Sequence, residues 1–264
     1  MERNHASPVA LPAAAASEAL PIALLALGIA SAASDLGSVL VKTPFLRSGV
    51  TAGDLIEGTG VYVVLALFAW VVRLALPGHG RPAALAAIAA VTFAFGHGIH
   101  LAANSIHDSL QRGRIPDPLG LADFWDEHAG HYLIDSGRIL FAAALTWGVG
   151  GDARAGQAGT GGGARAGRSG DFAAGAGGFV FGWILFAASV EGQTVPLVLP
   201  AALLYAAWSV RGWRARGAAG GPARAILLFL ATAAWTALLF FAVWGIWQRG
   251  FPEFTKVGIL RSAT

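Results

Sequence analysis

Five histidines in the middle of the chain recur with helical spacing. His97, His100, Asn104 and His107 stand at offsets of three, seven and ten, and so do His128, His131, Asp135 and Arg138. At 100° per residue each set falls within an arc of about 80°, with Glu127 bordering the second. Neutral imidazoles beside a carboxylate suit zinc, iron or copper, and a further acid can fix the histidine tautomer. The spacing therefore predicts a divalent metal ion, zinc favoured and iron or copper as alternatives. The expected ligands are His97, His100, His131, Asp135, Asn104 and His128. Ten residues of helix rise about 15 Å, so no single ion can take all of them. The deeper subset is His97, His100, Asn104, His131 and Asp135, with His107 and His128 at the interface. Glu127 and Glu191 are the expected catalytic proton carriers. Arg138 is expected to pair with Asp135 or to bind an anionic group on a substrate.

A hairpin centred on the loop Gln111–Ala122 would bring the two stripes level. Residue i then faces residue 235 − i, pairing His97 with Arg138, His100 with Asp135, Asn104 with His131, and His107 with His128.

The elements that must hold these side chains are helices in a membrane. Of the 264 residues, 55% are hydrophobic and only 12% charged, too few to cover a water-soluble surface. Hydrocarbon about 30 Å thick needs roughly 20 apolar residues per helix. Seven runs qualify: Ala19–Val41, Leu55–Leu76, Pro82–Leu110, Asp123–Val149, Asp171–Val195, Leu197–Trp213 and Pro222–Trp247. The expected fold is thus all-α, a polytopic transmembrane helical bundle. Residues 1–18 form a tail, and 19–264 a single domain with a flexible Gly/Ala/Arg loop at 150–170. Pro196 and Pro200 predict that the sixth helix is steep or broken. Ala30-Ser31-Ala32 has the small residues of a signal-peptide cleavage site, but the apolar run continues to Val41, which favours a retained helix.

Seven crossings put ten of the eighteen basic residues on the side of the amino terminus. By the positive-inside rule that side is cytoplasmic and the carboxyl terminus lies outside. Eleven of the fifteen acids and five of the seven histidines belong to the opposite half, which predicts an extracytoplasmic site in a bacterial-type inner membrane. The net charge of +3 is explained by basic loops, without nucleic acid. The absence of cysteine excludes disulfides and thiolate ligands.

Together these features predict a metal-dependent membrane enzyme, a hydrolase before an oxidoreductase, acting on a lipid or small amphiphile. The alternatives are a proton- or cation-coupled transporter and a haem or redox membrane protein. Seven helices with buried His, Asp and Ser resemble the architecture of the membrane zinc hydrolases that include alkaline ceramidases and adiponectin-receptor-like proteins. The last helix here has no histidine, where those proteins carry an H-x-x-x-H pair. His100-Leu-Ala-Ala-Asn104 is similar to the H-x-x-x-N of rhomboid proteases, and Gly167-Arg168-Ser169-Gly170 to their G-x-S-G. That serine belongs to the opposite side, so no residue role is carried over from either family.

Overall fold

The computed structural model describes residues 13–41, 43, 51–78, 80–113, 120, 122, 124–155, 167–216 and 221–259. Seven α-helices occupy them: α1 Ala13–Leu40, α2 Ala52–Ala75, α3 Gly80–Gly113, α4 His131–Ala155, α5 Arg168–Glu191, α6 Val195–Arg216 and α7 Pro222–Gln248. A π-helix, Phe124–Gly130, leads directly into α4. The described residues form no β-sheet, and the protein is an all-helical, membrane-spanning bundle.

Local signals explain several ends. Thr51 and Asp54 form a reciprocal cap on α2: the Thr51 hydroxyl accepts from the Asp54 amide at 3.2 Å, and the Asp54 carboxylate accepts from the Thr51 amide at 2.7 Å. Asp54 is thereby a capping residue. Gly221, at φ +82°, turns the chain into Pro222, whose missing N–H costs nothing in the first turn of α7.

Among the described residues six helices are long and apolar enough to cross a membrane, where the sequence offers seven runs. The exception is α4, which carries His131, Asp135 and Arg138 along its first two turns. Its apolar partners are other helices: Phe141 and Leu145 are buried in the main core with Phe68 and Phe93. Two further expectations need correction. The sixth helix is continuous, because Pro196 and Pro200 both lie near its start, where few intrahelical bonds are lost. The region expected as a loop at 150–170 is helical at both ends, up to Ala155 and from Arg168, and 156–166 lie outside the described residues.

Helices meet where side chains are absent. A Cβ at Gly178 or Gly182 of α5 would strike the backbone of α7 at Phe229 or Ala233, and one at Gly177 would strike α1 at Leu24. Such contacts replace the hydrophobic effect, which cannot hold helices together in lipid. α1 is fixed in this way between α2 and α5.

The same device sets the register of α3 on α4, and it differs from the symmetric hairpin. Phe93 lies against Gly137, Gly96 against Ile134 and His100 against Gly130, so residue i faces residue 230 − i. The slip is five residues. α3 runs on to Gly113, beyond the level at which the π-helix begins, and the glycines fix where the two backbones touch.

Candidate functional site

Slipping the register re-sorts the polar stripes into two buried clusters. In the first, α2 contributes Glu57, which was not among the expected ligands. Glu57 continues the buried stripe Val61, Val64, Phe68 and Val71, and is itself 2% exposed. Its Oε1 lies 3.3 Å from His97 Nδ1 and 3.5 Å from His100 Nε2. The other nitrogen of His100, Nδ1, is 2.5 Å from Asp126 Oδ1. His131 packs edge-on against His100, the ring centroids 4.6 Å apart. One carboxylate thus faces two imidazoles, and a second carboxylate lies against one of them. His97 Nε2 is buried and has no hydrogen-bond partner among the described residues.

Asp126 comes from the π-helix. Wider turns change which residues share a face, so 100° spacing does not single out Asp126. The Glu127 side chain lies outside the described residues, as do those of Asn104 and His107. His128 is exposed, stacked on Phe124 with centroids 5.9 Å apart, as expected for an interfacial residue.

The second cluster surrounds Arg138, which is 1% exposed. Its Nη1 donates to Asp135 Oδ1 at 3.0 Å, and its Nη2 donates to Asp35 Oδ2 on α1. Thr194, between α5 and α6, donates its hydroxyl to Asp135 Oδ2. The guanidinium also lies over the Phe93 ring, 5.5 Å from its centroid. His97 is therefore not opposite Arg138, nor His100 opposite Asp135. Arg138 has a carboxylate at each end of its fork, and Asp135 is occupied by Arg138 and Thr194.

Glu191 belongs to neither cluster. Its Oε2 accepts hydrogen bonds from the backbone amides of Phe254 at 2.9 Å and Thr255 at 3.4 Å, tying the carboxyl-terminal segment to the end of α5.

Charge and packing define what the site can do. Asp35, Glu57, Asp126 and Asp135 face a single guanidinium and three imidazoles. With the imidazoles neutral, the carboxylates outnumber the guanidinium in a low-dielectric setting, which favours a bound cation. One turn back along α3 from His97, Phe93 packs on Phe68 at 5.5 Å, and Phe68 stacks on Phe141 at 3.9 Å. These rings close the polar region on one side. Among the described residues, no three His, Asp or Glu side chains are grouped closely enough to hold a metal ion as they stand.

Comparison with protein families, curated proteins and solved structures gives no match to this chain. Its class is therefore stated from the fold: a membrane-spanning helical protein with a buried acid–imidazole site.

Proposed function

We propose that this integral membrane protein binds a divalent transition-metal ion at Glu57, His97 and His100, with His131 adjacent and Asp126 orienting His100. The observation that carries the proposal is the sharing of Glu57 Oε1 by two imidazoles, at 3.3 and 3.5 Å. A tetrahedral site with bonds near 2.0–2.1 Å has ligand atoms about 3.3 Å apart, so two of its edges match these separations. Binding replaces the imidazole–carboxylate contacts, and rotation of the rings closes the remaining edge. The carboxylate–histidine contact at Asp126 is the usual outer support of a metal-bound imidazole. Zinc is favoured, with iron or copper as alternatives.

The proposed activity is metal-dependent chemistry on a lipid or small amphiphile, hydrolysis first. A bound ion would polarise a carbonyl or acidify a water molecule. In this reading His131 and Asp126 hold the donor set in place, and Glu127 carries the proton. Arg138 and Asp135 lock the surrounding helices, and Glu191 holds the carboxyl-terminal segment. The amino terminus is cytoplasmic and the site faces the extracytoplasmic side of a bacterial-type inner membrane, as the basic loops suggest.

Two other readings are less well supported. Proton or cation transport needs a polar path through both halves, and Phe68, Phe93 and Phe141 pack where it would continue. Haem between His100 and His131 needs a slot for the macrocycle, and the rings already touch.

The test is the zinc, iron and copper content of purified protein, before and after reconstitution. About one ion per chain is expected in the wild type, falling at least tenfold in retention in Glu57→Gln. A wild type that retains none of the three ions after reconstitution contradicts the proposal.

A further inference from the structure

The turn between α5 and α6 lies directly on the site. A Cβ at Gly192 would fall on the His131 ring, so only glycine allows the backbone this close. Two residues on, Thr194 donates to Asp135, and its amide closes the turn on Ser189 O at 2.9 Å. Between them Gln193 adopts φ +54°, a left-handed conformation that a non-glycine residue holds only when its surroundings impose it.

The helix end supplies part of those surroundings, through the 6→1 bond from Thr194 N to Ser189 O and the Gln193 side-chain bond to Val190 O at 3.2 Å, and the carboxyl-terminal segment packs beside it. Glu191 accepts from the amides of Phe254 and Thr255, and the Gln193 side chain donates to Phe251 O at 3.5 Å. The segment is seated in turn on α7. Trp244 Nε1 donates to Pro252 O at 3.1 Å, and the Phe254 ring packs against Trp244 with centroids 4.7 Å apart. A continuous series of contacts therefore runs from the segment, through Glu191 and the turn, to His131 and Asp135.

We propose that the Gly192–Thr194 turn is the cover of the acid–imidazole site, and that the segment Phe251–Ile259 latches it shut through Glu191. Releasing the latch lets the turn lift from His131 and admits solvent or a ligand to the imidazoles. The turn is anchored at both ends by buried Val190 and Val195, and between them its contacts to the carboxyl-terminal segment are the polar ones made by Glu191 and Gln193. Local openings of this kind draw on the least stable part of a fold. The inference regulates the proposed metal site but does not need a metal to be observed.

The experiment follows carbethoxylation of individual histidines by diethyl pyrocarbonate, read by peptide mass spectrometry on the full chain in nanodiscs. Exposed His128 is the internal reference. In Glu191→Ala, the His131 rate relative to His128 is expected to rise at least about tenfold, the effect of losing the charge-assisted hydrogen bonds from the Phe254 and Thr255 amides. Glu191→Gln keeps an acceptor oxygen and should stay close to wild type. Phe254→Ala removes the ring that seats the segment on Trp244 of α7 and Phe186 of α5, leaves the Glu191 side chain in place, and should reproduce the selective rise. A His131 rate unchanged in both Glu191→Ala and Phe254→Ala overturns the latch and leaves the metal proposal standing. The same holds if the rate rises only in preparations that have lost their melting transition. A selective rise in protein that binds no metal supports the latch while contradicting the metal proposal.

Discussion

Replacing Arg138 with methionine is expected to destabilise the bundle more than any other single change at these clusters. The guanidinium is buried and holds Asp35 of α1 and Asp135 of α4 at once. Methionine fills much the same space but leaves two carboxylates facing each other without a cation. Breaking a buried pair in this way costs about 3–5 kcal/mol, whereas replacing the whole pair by neutral groups costs far less. The melting temperature in detergent should therefore fall sharply in Arg138→Met. It should recover most of the loss when Asp35→Asn and Asp135→Asn are added. An unchanged melting temperature in the single variant would show that the cluster does not bind α1 to α4.

The second large effect is on ion retention. His100 touches Glu57 with one nitrogen and Asp126 with the other, and packs against His131. Removing the ring in His100→Ala deletes a ligand and the link between two carboxylates. Retention is expected to fall by at least about 100-fold, measured by competition with a chelating dye. Asp126→Asn keeps the shape and the ring, and removes only the charge that orients it, so a smaller loss of about 10- to 100-fold is expected. Equal retention in His100→Ala and wild type would move the site elsewhere. A His128→Ala variant should bind as the wild type does, since that side chain is exposed.

The helices were legible because a membrane imposes a length and a composition on every span. Even α4 was readable from its apolar second half, although its first turns are too polar to count as a free-standing span. The clustering of His97, His100 and His131 followed from helical periodicity. Their partners did not. Pairing across a hairpin depends on where two backbones come into contact. Here Gly96, Gly130 and Gly137 decide that, whereas a symmetric loop places each residue five positions off. The π-helix hid a further partner, because its wider turns bring Asp126 to His100, a residue that 100° spacing does not select.

Glu57 carried a usable signal: it is a charged residue in step with Val61, Val64, Phe68 and Val71, so it had to face the bundle interior. Glu191 carried none. Its partners are backbone amides of Phe254 and Thr255, and every residue but proline has such a group, so side-chain types cannot announce the contact.

X-ray absorption of the zinc-loaded protein tests the central claim most directly, because it reports the atoms around the ion. Nitrogen and oxygen neighbours at about 2.0–2.1 Å are expected. The outer-shell scattering of two or more imidazoles should accompany them, and one imidazole contribution should disappear in His100→Ala. A spectrum of oxygen neighbours alone, with no imidazole scattering and no change in that variant, would contradict it.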